Sequence, residues 1–538
     1  MVNKKSIFAV CLVCFYAFVN LQSARSQFES HPDLNWFTIE TTHFYVNYHE
    51  GTERTAQTIA KIAEEVFGPI TSLYKYEPTQ KVSFVVTDVS DISNGATDFY
   101  GNRIEIFASA LDFDLRGTHN WLRNVITHEF THIVQIQASM KFARQLPAIY
   151  LQWLNYEKER RPDVLYGYPN VIVSYPVSGV GVPSWLAEGT AQYQRQQMGY
   201  DYWDSHRDMI LRSYVLDNNM LTWNEMGQFS SITSLKAESI YNSGFALVRY
   251  ISKMYGENKL REITDNLGDL TNFSVDKAIK GAIGKDGNEL YEEWKEYLKK
   301  DYNAKIKGVK ETLVAGDIIE KKGFANYFPH FSPDGKKIAY LSNQDYDYAS
   351  TGLFVYNIQT KKSEMIAFPV STDFSWSPDG KKLVYAKRNY PPSIDGVTIY
   401  DLYEYNFGTK DEKRLTKELR AYSPAFSSDG KKICFVVNKA GTLNLKISNA
   451  DGSNISSPTK FNQGEQIYSP GFIENDSKII FEFSLRDNRK ISILNIETGE
   501  YSYLFNDEET DTRNPVLSKD GKKLYYASDR TGIFNIYS

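Results

Sequence analysis

His128, Glu129 and His132 stand in the run His-Glu-Phe-Thr-His inside residues 120–137. Apolar Leu122, Val125, Ile126, Ile133 and Val134 recur there at steps of three and four, which predicts a helix with one buried face. Positions i and i+4 of a helix lie one above the other. The imidazoles of His128 and His132 can therefore take one cation of zinc size, with nitrogens at roughly 2.0–2.1 Å. Glu129, rotated around the axis by one residue, can reach a water on that ion without being a ligand. The chemistry such a group does is metal-assisted hydrolysis, with two ligands and a general base from a single turn. Only eight histidines occur in the chain, so this spacing around a glutamate is not a product of abundance.

A catalytic ion needs a third protein donor and a scaffold that brings it in. Residues 181–193 read Gly-Val-Pro-Ser-Trp-Leu-Ala-Glu-Gly-Thr-Ala-Gln-Tyr, and Pro183 near the first turn with Gly199 after Met198 marks a second helix. Glu188, in its first turns, is the expected third ligand, although spacing alone does not single it out from other acids. Ahead of the histidines, residues 36–49 alternate as strands, 53–74 have helical spacing, and 82–86 form a short apolar strand. Residues 96–108 read as the last strand of a small sheet, an edge able to pair with an extended peptide. His43 and His49 lie on or beside strands with no helical partner and are expected to be structural or exposed. Residues 140–182 carry many tyrosines and tryptophans between the two halves of the site. Packed aromatic helices and loops are expected there, and an aromatic lid or membrane-facing surface is the alternative.

The run from Trp185 to Gly189, taken with His128 to His132, resembles the gluzincin metallopeptidases of the aminopeptidase N type, whose third ligand lies in a Trp-Leu-x-Glu-Gly motif. The resemblance implies an α+β zincin-type domain, one Zn2+ on His128, His132 and Glu188, a peptide or protein substrate, and Glu129 as general base. Residues 239–247, Ser-Ile-Tyr-Asn-Ser-Gly-Phe-Ala-Leu, are similar to the family's Tyr-x-Lys-Gly motif, which gives Tyr241 the role of stabilising the oxyanion. Glu188 follows His132 by 56 residues where the family has a short gap, so residues 140–182 would be an insertion. The Gly-x-Met-Glu-Asn run that holds a free α-amine in those aminopeptidases is missing, and Tyr100-Gly101-Asn102-Arg103-Ile104-Glu105 stands in that strand. Gln192 occupies the place where the thermolysin branch has an Asp. An endopeptidase is therefore expected rather than an aminopeptidase. Helical spacing returns in residues 246–255, 260–267 and 289–298, as in the helical second lobe of such peptidases.

Charged, aperiodic residues 299–310 suggest a boundary, with the peptidase-like domain over 27–307 and a second domain over 308–538. Beyond it, FSPDGKKIAY, WSPDGKKLVY, FSSDGKKICF, FIENDSKIIF and LSKDGKKLYY begin at Phe331, Trp376, Phe426, Phe472 and Leu517. That period is the length of a four-stranded propeller blade, with Asp-Gly as a hairpin turn. The units resemble TolB-like β-propeller repeats. Five are visible, so either a strand near residues 313–320 closes the ring or the chain is truncated relative to a longer relative, the second being the expectation.

At 538 residues the chain predicts two or three domains. A formal charge of -5 gives no footprint for nucleic acid, and the 38 Tyr and 31 Phe suit a β-rich secreted protein. Lys4 and Lys5 precede an apolar run, and Ala24 and Ser26 sit at the −3 and −1 positions of a cleavage site, which predicts a signal peptide over residues 1–26. At about fifteen residues the run falls short of the roughly twenty a spanning helix needs, so no transmembrane helix is expected in the mature chain. Cys11 and Cys14 each follow Val, against a lipid anchor, and Cys434 alone remains after cleavage, against an internal disulfide. A bacterial periplasm or cell surface is the expected location. The sequence thus predicts a secreted zinc peptidase with a propeller that could dock a protein partner. The alternative is a periplasmic or surface binding protein whose zinc site is vestigial or structural.

Overall fold

In a computed structural model the chain is described over residues 31 and 33–538, apart from 111–119, 164–166, 231, 315, 345, 349, 390–396, 486–487, 506, 508 and 519. The expected signal peptide lies outside the described residues. Strands β1 (Trp36–Glu40) and β2 (Phe44–His49), helix α1 (Glu53–Tyr74), and strands β3 (Val82–Thr87), β4 (Gly95–Asp98) and β5 (Arg103–Phe107) open the chain. Their sheet has the order β1-β2-β3-β5-β4. The inner strands are parallel, and β1 and β4 run antiparallel at the two edges. Residues 96–108 are thus not the single strand expected but most of a β4–β5 hairpin. Asp98 accepts the Tyr100 and Gly101 N–H groups and turns the chain, a local bond that competes with continued extension.

Helix α2 (Trp121–Ala138) starts at Asn120, whose side chain accepts the Arg123 N–H. Its Phe130 and Ile133 join Phe44, Phe84, Ile104 and Ile59 in one core between sheet and helices. His43 and His49 are structural: the first bonds Glu64 and stacks on Phe67 at 3.7 Å, and the second accepts the Asp88 N–H.

Residues 140–182 are not packed helices and loops. They form an antiparallel hairpin of β6 (Ala148–Tyr156) and β7 (Pro169–Ser178) that leaves large side chains in solvent on both faces, with Trp153 and Tyr175 each 61% exposed. Apolar residues on both faces erase the period-2 alternation that marks a half-buried strand, which is why the sequence hides it.

Among the described residues eight helices follow: α3 (Ser184–Gln197), α4 (Ser205–Leu216), α5 (Trp223–Met226), α6 (Ser234–Tyr255), α7 (Asn258–Gly268), α8 (Val275–Ile283), α9 (Gly287–Lys305) and α10 (Lys307–Glu311). Trp185, Phe245, Leu247 and Trp294 centre their core. Asp286 and Glu289 form a reciprocal capping box that starts α9.

The rest is an all-β propeller of five blades. The blades are β8 (Asn326–Phe331) to β11 (Lys362–Ala367), β12 (Ser375–Trp376) to β15 (Asp411–Arg414), β16 (Ala421–Phe426) to β18 (Thr442–Asn449), β19 (Gln466–Ile473) to β22 (Tyr501–Tyr503), and β23 (Thr512–Leu517) to β25 (Asn535–Tyr537). No strand forms near residues 313–320 among the described residues, where Leu313, Val314 and Ile318 are exposed. In the first blade the Ser332 hydroxyl donates to Asp334 at 2.7 Å and Gly335 turns with φ +70°. The fourth blade lacks this glycine turn and bends through Glu474, Asn475 and Asp476, all at positive φ. Among the described residues no helix is long and apolar enough to cross a membrane.

Candidate metal centre

Helices α2 and α3 meet so that His128, His132 and Glu188 face one another. Their ligand atoms all lie within 4.8 Å of each other, and all three residues are buried. Glu188 Oε2 is 3.0 Å from His128 Nε2 and 3.4 Å from His132 Nε2, and the two Nε2 atoms are 3.1 Å apart. Burial drives the His128 pKa down to about 3, so that ring is neutral. Burial also opposes charge on His132, but Glu188 overcomes it and holds its pKa above the ordinary imidazole value. For Glu188 the same burial is outweighed by His132 and by bonds from both rings, and its carboxyl is held well below the usual range. Two imidazole nitrogens and a carboxylate oxygen aimed at one point fit a zinc ion with three protein ligands.

The approach of α3 depends on two glycines. A Cβ on Gly189 would lie 2.3 Å from the Gly244 carbonyl oxygen, and one on Gly244 would lie 2.5 Å from the Trp185 oxygen. Helices α3 and α6 therefore touch backbone to backbone beside Glu188. The Gln192 amide donates to the Tyr241 carbonyl at 2.8 Å, tying the same two helices. Tyr241, on α6, stacks near His128 with ring centroids 6.2 Å apart.

Glu129 lies on the sheet side of α2. The Thr97 hydroxyl on β4 sits 2.7 Å from its Oε2 and 3.0 Å from its main-chain oxygen. Gly95 lets the strand come this close, since a Cβ there would meet Val125 at 2.4 Å and Glu129 Oε1 at 2.8 Å. A cavity of about 310 Å³ opens over the cluster, lined by β4 residues, the two histidines, both glutamates and Tyr241. All five residues singled out from the sequence are thus brought to one cavity. Thr97, Gly95 and Gly244 were missed as parts of the site. For Thr97 the only signal was the strand expected over residues 96–108, which began one residue after Gly95, and Gly244 lies in the segment that yielded Tyr241.

Two sequence families match the chain, "Peptidase MA superfamily" over residues 170–300 and "TolB beta propeller domain" over 318–467. A peptidase MA superfamily domain is followed here by a TolB-like propeller. The peptidase MA match contains Glu188 and Tyr241, and the histidine pair precedes it. The chain is similar to the Tol-Pal system protein TolB of Francisella tularensis subsp. mediasiatica, 23% identical over 64% of this chain and 76% of that one. TolB of Francisella tularensis subsp. holarctica (strain OSU18) is 23% identical over 69% of this chain and 82% of its own length. A crystal structure of TolB from Acinetobacter baumannii matches with TM-score 0.31 and 21% identity, over 39% of this chain and 53% of that chain. The chain thus spans about half the length of that solved TolB.

Proposed function

We propose that the chain is an exported zinc-dependent endopeptidase of the bacterial periplasm or cell surface, with His128, His132 and Glu188 as metal ligands. The observation that carries this reading is the convergence of those three donors on one point beside Glu129 and an open cavity. Bound there, zinc would supply Lewis acidity, lowering the pKa of a water towards about 7 and polarising a carbonyl. Glu129 accepts the proton of the attacking water and passes it to the leaving amine nitrogen. Thr97 orients that carboxylate by donating to Oε2. Tyr241 donates its hydroxyl to the oxygen that gains charge as the carbonyl is attacked. Edge strand β4, at the cavity wall, offers main-chain groups to an extended peptide. Among the described residues the only carboxylates lining the cavity are Glu129 and Glu188, so no further acid there holds a substrate's free amine. That supports endopeptidase over aminopeptidase action.

The test is digestion of a mixed peptide library with and without chelator, with product termini sequenced. Internal cleavages that stop with chelator and with Glu129→Gln, while that variant keeps its zinc, are expected. Full turnover by Glu129→Gln refutes the assigned base. The second reading, a binding propeller with a vestigial or structural zinc site, has in its support the 23% identity to TolB over most of those relatives' length. A protein that holds zinc and cleaves nothing in the library would establish it.

A further inference from the structure

The β4–β5 hairpin carries Thr97 to Glu129, yet its two ends are held from the propeller. Arg420, just before β16, is largely buried between them. Its Nε donates to Asp91 at 2.6 Å, Nη1 pairs with Asp88 at 2.9 Å, and Nη2 donates to the Ser109 hydroxyl at 3.0 Å. Asp88 and Asp91 lie in the loop that leads into β4, and Ser109 follows β5. The neighbouring propeller strands complete the grip. Ser90 and Asp91 exchange bonds with the backbone of Thr398 and Tyr400, Asp88 accepts the Ala440 N–H, and Asn438 donates to Ser109 at 2.6 Å. Gly441 lies so close to the Ala108 carbonyl oxygen that a Cβ would stand 2.1 Å from it. At the opposite end Gln137 of α2 holds the hairpin's turn through Phe99 and Asn102. Arg420 itself has φ +57°, a strained conformation for a side chain of its size, of the kind that persists where the surroundings fix it.

We infer that the propeller is a working part of the catalytic cleft: through Arg420 it clamps both ends of the β4–β5 hairpin and so sets where Thr97 holds the Glu129 carboxylate. Arg420 is a positioning residue, with no contact to the metal cluster or to a substrate. Two largely buried carboxylates on one guanidinium form a rigid joint, because each would lose its cationic partner if the joint opened. A propeller that were only a tether would not need to grip the two ends of the strand pair that faces the base.

This inference rests on the proposed peptidase function for its catalytic half only, so its test has two arms. In the full-length protein, amide hydrogen exchange is compared between wild type and Arg420→Ala. The clamp predicts exchange of residues 95–107 faster by about 10- to 100-fold, with α2 and the helical lobe unchanged. In the second arm, cleavage of fluorescein-labelled casein should lose kcat by at least about tenfold at unchanged KM and zinc content, since a base is misplaced while binding survives. Wild-type exchange rates in the hairpin of Arg420→Ala, or a loosened hairpin with unchanged kcat, would overturn the inference. Should Arg420→Ala fail to fold, Asn438→Ala removes one bond of the same grip. Its hairpin should then exchange about fivefold faster, and no change there overturns the clamp. If the wild type cleaves no casein, the peptidase reading loses its support, and the exchange arm still decides whether the propeller holds the hairpin.

Discussion

Replacing Gly244 by Ala tests how the third donor reaches the histidines. The new Cβ would lie 2.5 Å from the Trp185 carbonyl oxygen and 3.1 Å from its Cα, so it meets backbone on α3, not a side chain that can swing aside. Restoring ordinary contact moves the helices apart by about 1 Å in a close-packed interior. Two opposed terms set the outcome. Alanine favours helix over glycine by up to about 1 kcal/mol, and overpacking a core costs about 1–3 kcal/mol. The crossing lies in the lobe's core beside buried Trp185 and Phe245, so overpacking should win by up to about 2 kcal/mol. Glu188, one turn from Trp185 on α3, moves with the helix, and zinc affinity should fall by about 10- to 100-fold, the scale seen when a ligand's support is disturbed. Urea unfolding followed by tryptophan emission gives the first quantity and competition with a chromophoric chelator the second. Gly308, on α10 with open space around its Cα, is the control: Gly308→Ala should leave both unchanged or slightly raise stability. Gly244→Ala with wild-type stability and zinc affinity would refute the close-crossing argument.

Thr97→Val keeps the shape of the strand while removing the hydroxyl that faces Glu129, a bond to a charged group worth about 1.5–3 kcal/mol. It should lower kcat/KM for peptide cleavage by about 10- to 100-fold with zinc content intact. His330 on β8 faces Asp373 of the next blade at 2.8 Å, and although burial opposes its charge, that carboxylate raises its pKa above the ordinary value. The folded value lies above the unfolded one of about 6.5. The pair's contribution to stability is therefore fully present below that pH and is lost as pH rises through the folded pKa. Proton NMR of the His330 ring should report the raised value, and Asp373→Asn should bring it down.

Much of the scaffold was legible because its signals are local. The 3.6-residue apolar rhythm gave α2, and a repeat of about 45–50 residues, with a Ser-x-Asp-Gly turn in four of its five copies, gave the blades. The three-dimensional convergence of Glu188 on the histidines could not come from spacing, because an exposed hairpin separates them in sequence; only the likeness of Trp185 to Gly189 to a known motif pointed to it. What stayed hidden is non-local. Gly95 and Gly244 look like ordinary glycines until the side chains and backbone that face them are known. The β6–β7 hairpin is masked by apolar residues on both faces. The grip of Arg420 on Asp88 and Asp91 joins residues more than three hundred positions apart, beyond the reach of any periodicity.

The most direct test of the central claim is zinc per chain, measured by mass spectrometry on purified full-length protein after exhaustive removal of loosely bound metal. One zinc per chain is expected in the wild type and in Glu129→Gln, and none in His132→Ala or Glu188→Ala. A wild type that binds no zinc, or a folded Glu188→Ala protein that holds it as tightly as the wild type, would contradict the three-donor centre.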